Sequence, residues 1–142
     1  MANGVRLIRS DVLSDVAQYA YAASVDPGAR IVVLAGACPI ETDGSVAAVG
    51  DYVAQARKCI ETMTEALRAA GATITDIVAT RVLVASTQRS DLVDVWRVVR
   101  EAFGDHDAPS TLLGVTVLGY EDQLVEIEAV AALADEIAGG AV

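Results

Sequence analysis

Apolar residues recur along this chain in two rhythms, alternate positions in some stretches and three- to four-residue steps in others. Their order predicts β-β-β-α-β-α-β-β. Val5–Ile8 reads as a short strand, followed by a mixed segment over Asp11–Val16. Tyr19–Val25 alternates weakly and runs into Asp26-Pro27-Gly28, residues that favour a turn. Arg30–Ala35 (RIVVLA) is β-branched and apolar, which predicts a strand forming a hairpin with Tyr19–Val25. Gly36-Ala37-Cys38-Pro39 ends it, and Glu41–Gly44 (ETDG) is a further turn.

Asp51–Ala70 predicts a helix, with Ala54, Cys59, Met63, Ala66 and Leu67 near one face and Gly71 as its stop. Thr75–Ile77 leads into a Val-rich strand over Val78–Ala85. Ser90 is a candidate cap for a second helix, Asp91–Phe103, whose apolar face is Leu92, Val95, Trp96, Val99 and Phe103. Two strands close the chain, Thr111–Leu118 and Leu124–Leu133, joined by a polar turn. Strands outnumber helices and both helices follow strands, so the expected class is α+β, with two helices packed on one face of a sheet. Residues 1–134 are read as one domain, and residues 135–142 as a frayed tail of small residues. The last strands are mostly apolar on both faces, so the face away from the helices is expected to be covered by other subunits.

The last strand carries Glu126 and Glu128 among apolar residues. A carboxylate there is costly to bury unpaired, so it marks either an exposed sheet face or a lined cleft. Glu128 is the same-face neighbour of Glu126.

Composition narrows the chemistry. Apolar residues make up 54% of the 142 and aromatics 4%, so the core is built of Val, Ala, Leu and Ile. With 20 acidic against 10 basic residues the net charge is -10. That disfavours nucleic acid and anionic membrane surfaces as partners. No apolar run reaches the ~20 residues that span a bilayer, and the first residues lack the apolar core of a signal peptide, so a cytoplasmic location is expected. One His, His106, and two cysteines, Cys38 and Cys59, give neither a metal pattern nor a triad. No GxGxxG, P-loop or carboxylate cluster with metal spacing occurs, so neither a cofactor nor a metal is expected.

The segment from Pro109 to Ala131 resembles the C-terminal signature of the Rid (YjgF) family, also labelled endoribonuclease L-PSP. The resemblance extends over about Val5 to Leu133 and includes Tyr19, Gly36, the helix ending at Ala70-Gly71, Pro109 and Val125-Glu126-Ile127-Glu128-Ala129. It implies a chorismate-mutase-like fold with a mixed sheet, and homotrimers with clefts between subunits. Some members hydrolyse enamines and imines, using an arginine placed two residues after the Pro and fifteen before the first Glu. Here that position is Thr111. A guanidinium holds a carboxylate through a charged, bidentate contact, whereas a hydroxyl offers one neutral hydrogen bond. The usual 2-imino acid is therefore expected to bind poorly.

By resemblance Glu126 is the carboxylate that positions water, and so the candidate catalytic residue; its alternative is a solvated group or one paired with a base such as Arg81. The candidate ligand-binding residues are Tyr19, Gly36, Ala37, Cys38, Thr111 and Leu113. Tyr19 lies at a cleft mouth or packs in an interface. Gly36 offers its N–H to an anion or simply ends a strand. Cys38 lines the cleft, but no basic neighbour in sequence lowers its pKa. Thr111 presents a hydroxyl or is a plain strand residue, and Leu113 makes the cleft more apolar. Cys59 and Trp96 are read as helix core and His106 as a solvated loop residue. Three functions compete: hydrolysis of a small imine or enamine, binding of a small metabolite without catalysis and, disfavoured by the charge, the ribonuclease or translation-inhibitor role attached to the family.

Overall fold

The computed structural model describes residues 4–134, and the expected tail at 135–142 lies outside them. The first helix, α1 (Tyr52–Ala69), begins where Asp51 accepts the Ala54 N–H at 3.0 Å, an N-cap satisfied by a side chain. It ends where Gly71, at φ +81°, lets Ala72 N–H return to the Leu67 carbonyl at 2.8 Å. Its buried face is Gln55, Ala56, Cys59, Met63 and Leu67. The second helix, α2 (Arg89–Phe103), buries Val95, Val98, Val99 and Phe103. Ser90 is not its cap but lies inside it. Ser86 organises the start instead: its hydroxyl donates to Asp91 at 2.6 Å and accepts the Gln88 N–H at 2.9 Å.

Six strands accompany these helices: β1 (Val5–Ile8), β2 (Ala22–Val25), β3 (Arg30–Val33), β4 (Ile77–Ala85), β5 (Ser110–Val115) and β6 (Val125–Leu133). The predicted order holds, with a short 3-10 turn at Ile74–Asp76 added before β4. The expected hairpin of β2 with β3 does not form. β2 pairs antiparallel with β1, from Val5 opposite Val25 to Ile8 opposite Ala22. β3 pairs with the end of β6, Val32 opposite Ala131. The turn at Asp26 closes with the Ala29 N–H on the Asp26 carbonyl at 3.1 Å, but it carries the chain from one sheet into the other. A local turn does not fix the partner of the strands that flank it.

The main sheet has the order β3-β6-β4-β5, with β4 and β5 parallel and the other pairs antiparallel. α1 and α2 cover one face. There Val82, Val84, Val125, Ile127, Ala129 and Ala131 join Cys59, Met63, Leu67 and Phe103 in one core. Strand alternation turns the intervening residues to the other face. β5 contributes Thr111, Leu113 and Val115, β4 contributes Arg81 and Leu83, and β6 contributes Glu126, Glu128 and Val130. β3 adds Ile31 and Val33, which are 51% and 75% exposed. This face carries the candidate site.

Candidate functional site

The site is built by a break in the pairing beside β6. Leu34 N–H bonds the Ala129 carbonyl at 3.1 Å, and Ala37 N–H bonds the Ile127 carbonyl at 2.7 Å. Ala35 and Gly36 therefore stand against the single residue Glu128, a bulge that swings Gly36 toward the sheet face. The Glu126 carboxylate lies directly above it: a Cβ added to Gly36 would sit 2.1 Å from Glu126 Oε2. Only glycine leaves room for the carboxylate at this place.

The other carboxylate oxygen is held by two neutral donors. Gln123 Nε2 donates to Glu126 Oε1 at 3.0 Å, and the Cys38 thiol donates to the same atom at 3.2 Å. Gln123 is itself fixed, donating to the Val125 carbonyl at 3.0 Å and accepting the Tyr120 N–H at 3.1 Å. Buried Gln55 of α1 braces the same turn, donating to the Asp122 carbonyl at 2.9 Å and accepting the Leu124 N–H at 2.8 Å. Thr62 of α1 donates to the Cys38 carbonyl at 3.1 Å. Burial, then the hydrogen bond to Glu126 and its charge, push the Cys38 thiol up to about 11. Cys38 is thus a protonated donor at neutral pH and not a nucleophilic thiolate. Burial likewise pushes Cys59 up.

Across the sheet, Glu126 shares a row with Leu83 and Leu113. The next row is Thr111, Arg81 and Glu128. Arg81 Nε lies 3.3 Å from Glu128 Oε1, an ion pair on the half-open face. Glu128 Oε1 is nonetheless buried and accepts no aligned hydrogen bond among the described residues. The basic residue considered as a partner for Glu126 thus belongs to Glu128. Val33, Ala79, Arg81, Glu128 and Val130 line a depression of about 260 Å³.

The remaining candidates fall in other places. Tyr19 packs edge-on against Trp96 and Tyr21, with ring centroids 6.3 and 5.5 Å apart. With Trp96, Ser110, Thr111 and Leu112 it lines a separate depression of about 380 Å³ beside β5. One chain therefore does not bring Tyr19 to Gly36 and Glu126. Ala37 turns into the core, 4% exposed, and its N–H and carbonyl are both bonded to Ile127. His106 is half-buried, with Nε2 2.7 Å from the Ile77 carbonyl, rather than the solvated residue expected of its loop. Gln123, Gln55 and the Glu128 pairing of Arg81 were not read from the sequence. Gln55 had a signal, since it falls four residues before Cys59 on the apolar face of α1. Gln123 had none beyond its polarity.

Among the described residues no three His, Cys, Asp or Glu side chains gather as metal ligands. No helix there is long and apolar enough to cross a membrane.

Comparison with known proteins agrees with this fold. The family model described as endoribonuclease L-PSP matches residues 13–133. Comparison with curated proteins finds no match. Among solved structures, the Rid protein YyfB from Yersinia pestis superposes with a TM-score of 0.83 at 27% identity, covering 92% of this chain and 99% of that one. Rv2704 from Mycobacterium tuberculosis, of the YjgF/YER057c/UK114 family, gives 0.61 at 31% identity, covering 91% and 99%. TdcF from E. coli, solved with bound serine, gives 0.64 at 26% identity, covering 89% and 94%. The two helices on a mixed sheet are thus those of a known fold, and the chain belongs to the Rid/YjgF family.

Proposed function

We propose that this protein binds a small metabolite in clefts completed between the subunits of a homotrimer, and that Glu126 directs water onto an imine- or enamine-type compound there. The observation that carries the reading is the Glu126 carboxylate, held at Oε1 by Gln123 and Cys38 and without an ion pair among the described residues. Neutral donors orient a carboxylate while leaving it able to accept a proton. In the reaction, water oxygen bonds to the C=N carbon while Glu126 takes the water proton. The nitrogen is protonated and leaves as ammonia, and the carbonyl forms.

Two features favour assembly. The Gly36–Cys38–Glu126 cluster and the Tyr19–Thr111 depression are half-sites on different borders of the sheet, and association brings one against the other. The exposed Ile31 gains from being covered, at about 25 cal/mol per Å² of apolar surface. TdcF with bound serine gives the scale of ligand expected. Two free cysteines fit a reducing compartment, the cytoplasm.

The test couples an amino-acid oxidase producing 2-iminopropionate to direct detection of imine loss, with light scattering for the mass in solution. A trimer that accelerates imine loss, and a Glu126→Gln variant that does not, support the proposal. Equal rates for the two proteins, on 2-iminopropionate and on a small imine without a carboxylate, defeat it.

The second reading is binding without catalysis. It is favoured by Leu83 and Leu113, which flank Glu126 in its row and make the cleft more apolar than an imine hydrolase needs. Ligand binding that survives Glu126→Gln, with no turnover by wild type, selects it. A ribonuclease role ranks last at a net charge of -10, and RNA binding at low ionic strength would revive it.

A further inference from the structure

We infer that Arg81 is the anion-holding residue of the open sheet face, and that its ligand is a small carboxylate whose short apolar part rests on Val33, Ala79 and Val130. The inference rests on the metabolite-binding reading above and names the chemistry of the ligand.

Arg81 is the one charged residue of its strand, IVATRVLVA. It is the one basic side chain that the main sheet's strands place on this face among the described residues. Its strand neighbours are Thr111 on one side and Glu128 on the other. Directly opposed residues of paired strands lie about 5 Å apart, so a group on one reaches the next.

The guanidinium uses one edge only. Its contact with Glu128 runs through Nε at 3.3 Å, and neither Nη makes a hydrogen bond among the described residues. Arginine presents its donors in a planar fork, so the outer edge remains free for a second, bidentate carboxylate. Glu128 lies beside the guanidinium on the β6 side, its Oε1 3.3 Å from Nε without an aligned hydrogen bond. The Thr111 hydroxyl, on the far side of Arg81, adds a neutral hydrogen bond. The depression beside Arg81, about 260 Å³, is lined otherwise by Glu128, Thr80 and small aliphatic residues, which accommodates a short alkyl or acyl group and no large one.

This changes what Thr111 implies. A threonine at that position removes a cation from β5, yet a cation stands on the same row, one strand away. Substrates carrying a carboxylate remain available to this cleft, held from β4.

The test uses pyruvate as probe, with pyruvamide as its neutral counterpart and inorganic phosphate as a second anion. The full chain is titrated while amide chemical shifts are followed by NMR. Wild type should give saturable shifts at Val33, Ala79 and Val130 with pyruvate, weakening as salt is raised. Arg81→Gln should weaken pyruvate at least tenfold. Arg81→Lys, which keeps the charge without the fork, should also weaken it, and it serves alone if Arg81→Gln does not fold. Pyruvamide should bind wild type no better than pyruvate binds Arg81→Gln. Equal pyruvate binding by wild type and both variants overturns the inference, as does the absence of saturable shifts in wild type. Phosphate shifts equal to those of pyruvate also overturn the carboxylate assignment. Loss of imine hydrolysis with pyruvate binding intact defeats the hydrolase reading alone. Turnover with pyruvate binding indifferent to Arg81 defeats this inference alone.

Discussion

The Cys38 thiol and the Glu126 carboxylate lie 3.2 Å apart, brought together from positions 88 residues apart in sequence, with the thiol as donor. Burial, and then the carboxylate, raise the thiol's pKa, and the thiol helps hold the carboxylate in one orientation.

Alkylation of Cys38 should therefore be slow at pH 8 and rise only as pH approaches about 11. Part of that resistance comes from Glu126, so Glu126→Gln should lower the thiol pKa and speed alkylation by iodoacetamide severalfold at pH 9. Rates followed by mass spectrometry across pH 7–10.5 check this. No acceleration in Glu126→Gln would leave burial as the sole cause.

The same shift makes stability depend on pH. An unfolded chain releases the Cys38 proton near the ordinary 9.0, the folded one near about 11, and buried Cys59 is shifted in the same direction. Between those values the folded state holds more protons, so stability present below pH 9 declines as pH rises toward 11. Urea midpoints for wild type should fall over this window, and those for a Cys38→Ala, Cys59→Ala double variant should fall less. Parallel curves would contradict the assignment.

Gly36→Ala should displace the Glu126 side chain, because the added methyl would stand 2.1 Å from Oε2. Overpacking of this kind costs about 1–3 kcal/mol. Thermal unfolding should show the loss, and any turnover that depends on Glu126 should fall with it. An unchanged melting temperature and rate would mean the carboxylate has room elsewhere.

Gln123→Ala should strip Glu126 of one donor and leave the Tyr120 N–H and the Val125 carbonyl without this partner. Losing buried hydrogen-bond partners costs about 1–3 kcal/mol. Chemical denaturation measures it; a cost near zero would show that water replaces the amide.

Thr111→Arg should set a second guanidinium opposite Arg81 and lower stability by about 0.2–1 kcal/mol, since like charges face each other across the strands. In an Arg81→Gln background the same change should restore carboxylate binding on that row. Pyruvate titrations of the single and double variants decide it. Failure of the double variant to bind would show that the fork must come from β4.

The mistaken β2–β3 hairpin and the inward turn of Ala37 show where local reading stops. Both depend on a partner, β1 in one case and Ile127 in the other, that no nearby residue specifies. Glu126 was legible as a candidate because two carboxylates broke an apolar strand. Its true companions, Gln123 and Cys38, were not legible as a group.

The sequence by itself determined the order of elements, the extent of α1, the two faces of β6 and membership of a lineage. These follow from periodicity, capping residues and local motifs, which are properties of neighbouring positions. Only the tertiary structure decided which strands pair, that Arg81 stands between Thr111 and Glu128, and that Gly36, Cys38 and Gln123 converge on one carboxylate. Those contacts are set by sheet register and by one bulge. Register is fixed cooperatively by burying a whole face at once, so it cannot be read from any single stretch of chain.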